Sequence, residues 1–490
     1  MKRINFFIFL LAATLLQLQA QNEIDALRFS LVNPGGTARF VSTGGAFGAL
    51  GGDFSTLSTN PAGIAVYRSS EFTITPSFNF TRVGSEFMGT SEEDINYDFA
   101  LSNIGLVFAF NDPDQLKESG WMGFQFGFGL NQLANFNNRR IYEGFNPGNS
   151  LMSEFLWKAN RETNWASSQH PNTFLDNYTT GLAWDTWLLG LDSINDTYFI
   201  DMPNNVLQRR ITNTSGSIRE LAFTMGANYS NRLYLGATFG LPFVNFEEDY
   251  TFTEENSTGI DSEFNSLEFG ENLKTTGRGF NFKIGAIYRA TDMIRIGAAL
   301  HTPTFYTLED EWRTHMKSNL VNFGKRESTS PRLLSEYELN TPMKMIGSLG
   351  LVFGTAGLLS FDYEYADYTQ MRLRSKRDLY TQENSNIRNN FQAQHNIRVG
   401  GEYRLNPIIL RAGYALNTNP YESGINNLEK TTISAGIGIR ESSYFVDFGY
   451  FITQYSEDFF QYYNFTGNRA APVNYDYTHQ GFMMTVGFRF

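Results

Sequence analysis

Cysteine is missing altogether from the 490 residues. That excludes disulfides, thiol catalysis and lipid attachment at an N-terminal cysteine. Long apolar runs are missing as well: beyond the first twenty residues none approaches the ~20 that a spanning helix needs. Proline is scarce, with 14 residues against 44 glycines, 45 phenylalanines and 25 tyrosines. Positive charge is in deficit, 38 Lys and Arg against 50 Asp and Glu, a formal −12. Nucleic acid is thereby excluded as a partner, since a phosphate backbone calls for a basic surface; the excess acid suits the solubility of polar loops. By length the chain would make two or three soluble domains, but its composition points elsewhere. Aromatics reach 16% while mean hydropathy stays negative. A membrane barrel has this profile, because lipid-facing and lumen-facing residues alternate and the apolar half disappears in an average.

The first twenty residues read as an export signal: Lys2 and Arg3, then an apolar stretch from Phe6 to Leu16, then Leu18-Gln19-Ala20 at the cleavage edge. The stretch is too short to span a bilayer, and Gln21 becomes the mature N-terminus.

Period-two alternation recurs throughout the rest. In 121–134, Phe124, Phe126, Phe128 and Leu130 share one face and Gly123, Gln125, Gly127 and Gly129 the other. In 478–490, Phe482, Met484, Val486, Phe488 and Phe490 alternate with Met483, Thr485, Gly487 and Arg489. Fourteen segments qualify: 71–82, 98–110, 121–134, 217–229, 232–245, 277–289, 293–306, 340–353, 358–373, 390–404, 408–418, 430–440, 444–455 and 478–490. Each has the ~9–11 residues of a tilted spanning strand, and an even count closes without edges. Ser230-Asn231, Ala290-Thr291-Asp292, Gly354 to Gly357, Leu405-Asn406-Pro407 and Glu441-Ser442-Ser443 read as tight turns. Between them lie long links at 135–216, 246–276, 307–339, 374–389 and 456–477, with 111–120 a somewhat long turn. Short periplasmic turns alternating with long external loops are the mark of an outer-membrane barrel. The fold expected is all-β: a 14-stranded antiparallel transmembrane β-barrel over 71–490, with a long external loop at 135–216.

Residues 21–70 do not fit the wall. Ile24, Leu27 and Leu31 suggest a short helix, followed by a glycine-dense run from Gly35 to Gly52 and then Asn60-Pro61-Ala62-Gly63. Dense glycine permits close backbone packing and positive φ, as a plug confined in a lumen requires. A phosphate-binding loop is excluded because no Gly-Lys-Ser/Thr follows and no βαβ unit surrounds it.

Here the chain resembles the FadL family of outer-membrane transporters (the FadL/TodX/OmpP1 type), which includes fatty-acid and aromatic-hydrocarbon channels. The resemblance rests on Gly44-Gly45-Ala46, Asp53 and above all Ser58-Thr59-Asn60-Pro61-Ala62-Gly63-Ile64-Ala65. Asn103-Ile104-Gly105, Leu300-His301-Thr302-Pro303, Thr341-Pro342, Asp362 to Tyr368 and Leu410-Arg411-Ala412-Gly413-Tyr414 follow in matching order. It implies an N-terminal hatch inside the barrel, with Asn60, Pro61, Ala62 and Asp53 as hatch residues. It further implies sideways exit of a hydrophobic substrate beside a kinked strand, for which Gly123, Gly127 and Gly129 of the third strand are candidates; the same glycines also read as room left for the plug. The terminal Phe490 resembles the signal read by barrel-insertion machinery, and also reads as an interface aromatic. The 135–216 link is longer than the family pattern.

Two groups are candidates for ligand contact. Phe155, with Leu151, Met152 and Leu156 at helical spacing, and Trp184 and Trp187, in a cluster with Phe174 and Leu188, form apolar external surfaces; by family analogy these capture substrate, or else pack on one another. Lys283, Arg295, Lys344, Arg398 and Arg411 point into the lumen by strand parity. They would hold a carboxylate or pair with Asp53, Asp362 or Glu364.

Enzymatic readings find no support. His170, His301, His315, His395 and His479 show no metal-binding spacing, and no serine accompanies His395 on its own strand face, as a barrel phospholipase would need. Neither metal nor cofactor is expected. A TonB-dependent receptor would need ~22 strands. The reading is passive transport of small hydrophobic molecules by a monomer in outer-membrane lipid. A surface binder, such as a haem binder using His170, His315 or His479, and a water-filled porin are the alternatives.

Overall fold

The computed structural model describes residues 22–111, 119–162, 175–203, 205–257, 259, 262–376, 378–462 and 471–490. The export signal, Phe174 and His170 lie outside them. Fourteen antiparallel strands form the wall. In chain order they are β1 (Glu71–Phe87), β2 (Thr90–Asn111), β3 (Trp121–Asn135), β4 (Val206–Tyr229), β5 (Leu233–Glu255) and β6 (Phe264–Arg289). There follow β7 (Ile294–His301 and Phe305–Leu320), β8 (Leu333–Asn340 and Lys344–Phe353), β9 (Gly357–Asp367) and β10 (Ala393–Arg404). β11 (Ile408–Asn417), β12 (Lys430–Arg440), β13 (Tyr444–Phe459) and β14 (Val473–Arg489) complete it. Each pairs with its neighbour, and β1 pairs with β14 from Glu71↔Arg489 onward, so the sheet closes.

The alternation is inside-out relative to a water-soluble sheet. On β6, Phe280, Phe282, Ile284 and Tyr288 are exposed outward, whereas Asn281 and Lys283 are buried. An apolar belt thus surrounds a polar lumen, which is the solvation pattern of a wall in lipid.

Each of the fourteen segments expected from the sequence contains a wall strand, but 358–373 leaves the strand after Asp367 for a 3₁₀ turn at Tyr368–Gln370, 390–404 starts as strand only at Ala393, and several others run further than expected. The ladder of β4, β5 and β6 continues to Val206, Glu255 and Phe264, so most of the 246–276 link and the end of the 135–216 link is strand. The apolar alternation ends earlier: beyond Phe243 the outward residues of β5 are Asn245, Glu247 and Asp249. A hydrogen-bond ladder needs no apolar face once it has left lipid, so the pattern underestimates its length. Likewise 307–339 is mostly the upper halves of β7 and β8. Both strands break, at 302–304 and 341–343, where Pro303 and Pro342 supply no backbone donor.

Residues 22–70 precede the wall, and part of this segment packs against its inward-facing positions. They contain α1 (Glu23–Ser30), α2 (Ala38–Ser42) and 3₁₀ turns at Phe54–Ser58 and Pro61–Val66. Asn22 caps α1 by a reciprocal capping box with Asp25. Above the wall, the 147–203 region carries α3 (Leu151–Glu162), α4 (Thr180–Asp185) and a small hairpin, Gly190–Asp192 with Thr197–Phe199. A further external helix, α5 (Thr381–Asn390), precedes β10.

Candidate functional site: a seated segment, a split wall and a cavity

The N-terminal segment rests on wall positions that have no side chain. Gly226, Gly236 and Gly285 sit side by side across β4, β5 and β6. A Cβ at Gly285 would lie 1.9 Å from Asn60 Oδ1, one at Gly236 2.2 Å from the Pro61 carbonyl, and one at Gly226 2.4 Å from Ile64. Asn60 accepts from the Ala62 N–H at 3.1 Å and donates to the Gly48 carbonyl at 2.6 Å, with Pro61 starting the turn that Asn60 caps. On the opposite wall, Gly44 adopts φ +64, and a Cβ there would meet the Tyr414 backbone at 2.9 Å. Asp53 accepts from Thr37 Oγ1 at 2.9 Å and the Ser55 N–H at 3.0 Å, which makes it a cap within the segment.

The lumen cations expected from strand parity are all inward. Lys283 pairs with Glu220 at 2.6 Å, and Glu220 also accepts from Ser58 at 2.9 Å. Lys344 lies 3.6 Å from Glu364 and donates to the Val32 carbonyl at 3.3 Å. Arg398 pairs with Glu364 at 2.9 Å. Arg411 bridges Glu402 at 3.0 Å and Asp447 at 2.7 Å, and Glu402 takes Arg39 of the N-terminal segment at 2.9 Å. Arg295 donates to the Leu50 carbonyl at 2.9 Å. Of the carboxylates expected as their partners, Glu364 pairs. Asp362 instead receives the Phe47 and Gly48 N–H groups at 3.0 and 2.9 Å. Glu220, Glu402 and Asp447 do most of the pairing. Their inward parity was readable, but not which of many lumen acids stands opposite which cation.

The wall is split on one side. The β2–β3 ladder runs from Asn111↔Gly123 to Asn103↔Asn131 and stops. β2 continues to Thr90 paired only with β1. β3 shifts register between Gln132 and Ala134, and the chain turns at Phe136 into the segment Asn138–Asn146, which pairs with β4. The irregularity therefore falls at Gln132–Asn137, where there is no glycine. Gly127 and Gly129 sit in unbroken ladder, where Cβ atoms would strike Ile64 at 2.6 Å and Phe54 at 2.5 Å; those two make room for the N-terminal segment. Gly123 borders a second shift, at the other end of β3. Across the split only side chains reach. Asp98 accepts from Asn135 at 2.6 Å and Asn137 at 2.7 Å, and Asp94 pairs with Arg139. Beside it Phe99 is 75% exposed, more than any other aromatic side chain among the described residues.

A cavity of about 660 Å³ opens on the split. Ser102 and Gln132 line it at the gap, Leu27 and Leu31 of the N-terminal segment form its floor, and Phe136, Phe246 and Tyr455 add apolar wall. Two further residues line it: Lys430, which was not expected as a ligand contact, and His479, which was considered only for the haem-binding alternative. Lys430 makes no ion pair or hydrogen bond with any described residue, and its ammonium lies 4.2 Å from the Tyr455 ring centroid. His479, on β14, engages Thr81 Oγ1 through Nδ1 at 2.8 Å. Position 430 begins a strand at an ambiguous parity, so sequence offered no signal for it.

Phe155, Trp184 and Trp187 do not line this cavity. Phe155 packs edge-on to Phe269 at 5.5 Å and Trp184 to Tyr198 at 5.9 Å, both in the apolar cluster above the lumen. Trp187 is 48% exposed against Phe323, with the Arg326 guanidinium 3.3 Å from its ring centroid. α3 is docked through Glu254, which accepts from the Leu151 N–H at 2.8 Å, Ser150 Oγ at 2.6 Å and Gln208 at 2.7 Å.

Glu254 stands well beyond Phe243, outside the apolar belt, and burial pushes its pKa up to about 7 against those hydrogen bonds. The folded value exceeds the unfolded one, so the folded state binds the proton more tightly. Its contribution is complete below the ordinary carboxylate range and is lost as pH rises from about 4.5 to about 7. Amide exchange in α3 is expected to speed up by one to two orders of magnitude between pH 5 and pH 8 after correction for intrinsic rates. Glu254→Gln should flatten that dependence; an unchanged slope in the variant would remove Glu254 as its cause.

A family model described as outer membrane protein transport protein (OMPP1/FadL/TodX) matches residues 221–490. No curated protein matches the chain. Among solved structures, a FadL homologue of Pseudomonas aeruginosa superposes with a TM-score of 0.58 at 13% identity, covering 94% of this chain and 99% of that one. The toluene transporter TodX of P. putida gives 0.53 at 12% identity, with 93% and 98% covered. The toluene transporter TbuX of Ralstonia pickettii gives 0.52 at 13%, again with 93% and 98%.

Proposed function

We propose, on the premise that this chain belongs to the outer membrane protein transport family (OMPP1/FadL/TodX), that it carries small hydrophobic molecules from the external face into the wall-side gap between β2 and β3. The chain is an outer-membrane β-barrel, and its family is one of transport proteins. The observation that carries the finer reading is the coincidence of cavity and split: a chamber of mixed apolar and polar lining runs from the N-terminal segment to the stretch of wall where β2 loses its β3 partner. A molecule in that chamber can leave sideways into lipid without crossing water, so its hydrophobic driving force is never forfeited. Residues 21–70 act as a hatch, with the Asn60-Pro61-Ala62 turn pinned in the glycine seat. The barrel works as a monomer, and Phe490 at the end of the last strand serves its insertion.

Lys430 narrows the substrate. A cation that lines the chamber and forms no direct ion pair with a described residue, Glu457 acting on it only at longer range, favours an amphiphile with an anionic head over a neutral hydrocarbon. The test is uptake of radiolabelled oleate and toluene by cells whose other transporters of this kind are deleted. Uptake of both or of oleate alone supports transport. Steady ion conductance in planar bilayers with no uptake would establish a water-filled pore in its place. Lys430→Met is expected to weaken oleate binding by about 1.5–3 kcal/mol, the worth of a hydrogen bond to a charged group, and to leave toluene binding unchanged. Equal loss for both ligands would mean that the residue shapes the chamber and reads no charge.

A further inference from the structure

The outward face of the barrel carries a concentration of positive charge that transport does not use. After Asp367 the chain passes through a turn at Tyr368–Gln370 into a short outer segment, Arg372–Arg374, paired with Glu338–Asn340 of β8. Leu373 is buried inward, so its neighbours Arg372 and Arg374 face outward. Helix α5 lies against this segment. Asn384 accepts from the Leu373 N–H and donates to the Leu373 carbonyl, both at 2.9 Å. Arg388, one turn further along the same helix face, is thereby brought beside Arg372. Arg374 and Arg388 both repel Arg372, against the single acid Asp367.

Over 372–390 the sequence has five basic residues (Arg372, Arg374, Lys376, Arg377, Arg388) and two acidic ones (Asp378, Glu383), the reverse of the chain's balance. Arg372 donates to the carbonyls of Thr369 and Met371 at 2.9 and 2.6 Å. Arg374, Lys376 and Arg388 are exposed and form no ion pair with any described residue, although Glu338 stands opposite Arg374 in the ladder. Fixed like charges of this kind ask for a multivalent anion.

The position says which anion. Just below the patch, Tyr363, Tyr365 and His395 face outward together, with Tyr363 Oη 2.7 Å from His395 Nδ1 and the Tyr365 and His395 ring centroids 5.6 Å apart. Such rings collect at headgroup level. Beneath them the outward residues of β9 are Phe361 and Leu359. The cations thus stand sideways at the outer rim of the lipid belt, on the long-loop side, where headgroup phosphates lie.

We propose that Arg372, Arg374, Lys376 and Arg388 form a binding site for the phosphorylated headgroup of an outer-leaflet glycolipid. The site is separate from the cavity and does not depend on what is transported.

Native mass spectrometry of the full-length protein in neutral detergent tests this, with bisphosphorylated lipid A and its dephosphorylated form as probes. The wild type should retain the phosphorylated lipid and not the other, and a millimolar excess of inorganic phosphate should not strip it. The triple variant Arg374→Gln/Lys376→Gln/Arg388→Gln is expected to bind at least about tenfold more weakly, since each cation near a charged lipid surface contributes separately. Arg313→Gln/Lys325→Gln, on the upper half of β7 and on the short strand Gly324–Thr329 paired with it, should bind as wild type, and Arg374→Lys/Arg388→Lys should keep most of the affinity. Heat-modifiable migration on gels checks that each variant is folded. Undiminished binding by the folded triple variant, equal retention of the dephosphorylated lipid, or displacement by free phosphate would each overturn the proposal.

Discussion

Tying β2 to the bend of β3 should stop uptake. Asp98 and Asn135 face each other across the split with their side chains 2.6 Å apart, and the chain contains no cysteine. Asp98→Cys/Asn135→Cys therefore introduces the only two thiols, to be joined as a disulfide or with a short bifunctional thiol reagent. Oxidised protein is expected to fall to the uptake of cells without the protein, and reduction to restore it. The single variants control for loss of the Asp98 contacts: each removes side-chain bridges that hold the split shut, so each should transport at least as fast as wild type. Full uptake by the cross-linked form would rule out exit between β2 and β3 and turn attention to a path through the N-terminal segment. A drop that reduction does not reverse would mean that the substitutions, not the closure, were responsible.

The wall was legible because lipid imposes a strict rule on it: every second residue must be apolar, and the violation begins where lipid ends. For the same reason the rule fails to reach the strand extensions of β4 to β7, whose outward residues, such as Asn245 and Glu247, are polar. The breaks in β7 and β8 were marked by Pro303 and Pro342 within otherwise strand-like runs, a signal available but read as mere resemblance. The split is different in kind. Glycine suggested a kink at Gly123, Gly127 or Gly129, yet two of these are occupied from inside by Ile64 and Phe54, and the bend is made by Gln132 to Asn137 through side-chain bonds to Asp98. Those bonds join residues far apart in the chain, and no local pattern announces them. Lys430 is illegible for a related reason. Its distinction is the absence of a direct ion pair, which becomes visible only when Glu220, Glu364 and Glu402 have been assigned to the other cations and the nearby Glu457 to Arg140.

Glu402 holds the N-terminal segment to the wall, and its loss should be the most destabilising single change in the lumen. Its carboxylate takes Arg39 at 2.9 Å, Arg411 at 3.0 Å and Arg404 at 2.8 Å. Asp447 is the other acid within ion-pair reach of Arg411. Three guanidinium groups thus converge on one buried anion. Glu402→Ala takes away the ion-pair partner of the buried Arg39 and of Arg404, and an uncompensated buried charge costs about 3–5 kcal/mol. Glu402→Gln keeps an acceptor and should lose less, so the order wild type, Gln, Ala in urea midpoint is the expected result. The same substitution reports on gating. Arg39 also donates to the Gly52 carbonyl at 3.1 Å, so freeing it loosens the segment between α2 and the Asn60 turn. Planar-bilayer recordings of Glu402→Ala should show conductance bursts absent from wild type, and Arg39→Ala should show them too while leaving Glu402 paired with Arg411 and Arg404. If Glu402→Ala lowers the midpoint but stays electrically silent, the cluster stabilises the wall alone, and the segment is held by the glycine seat around Asn60.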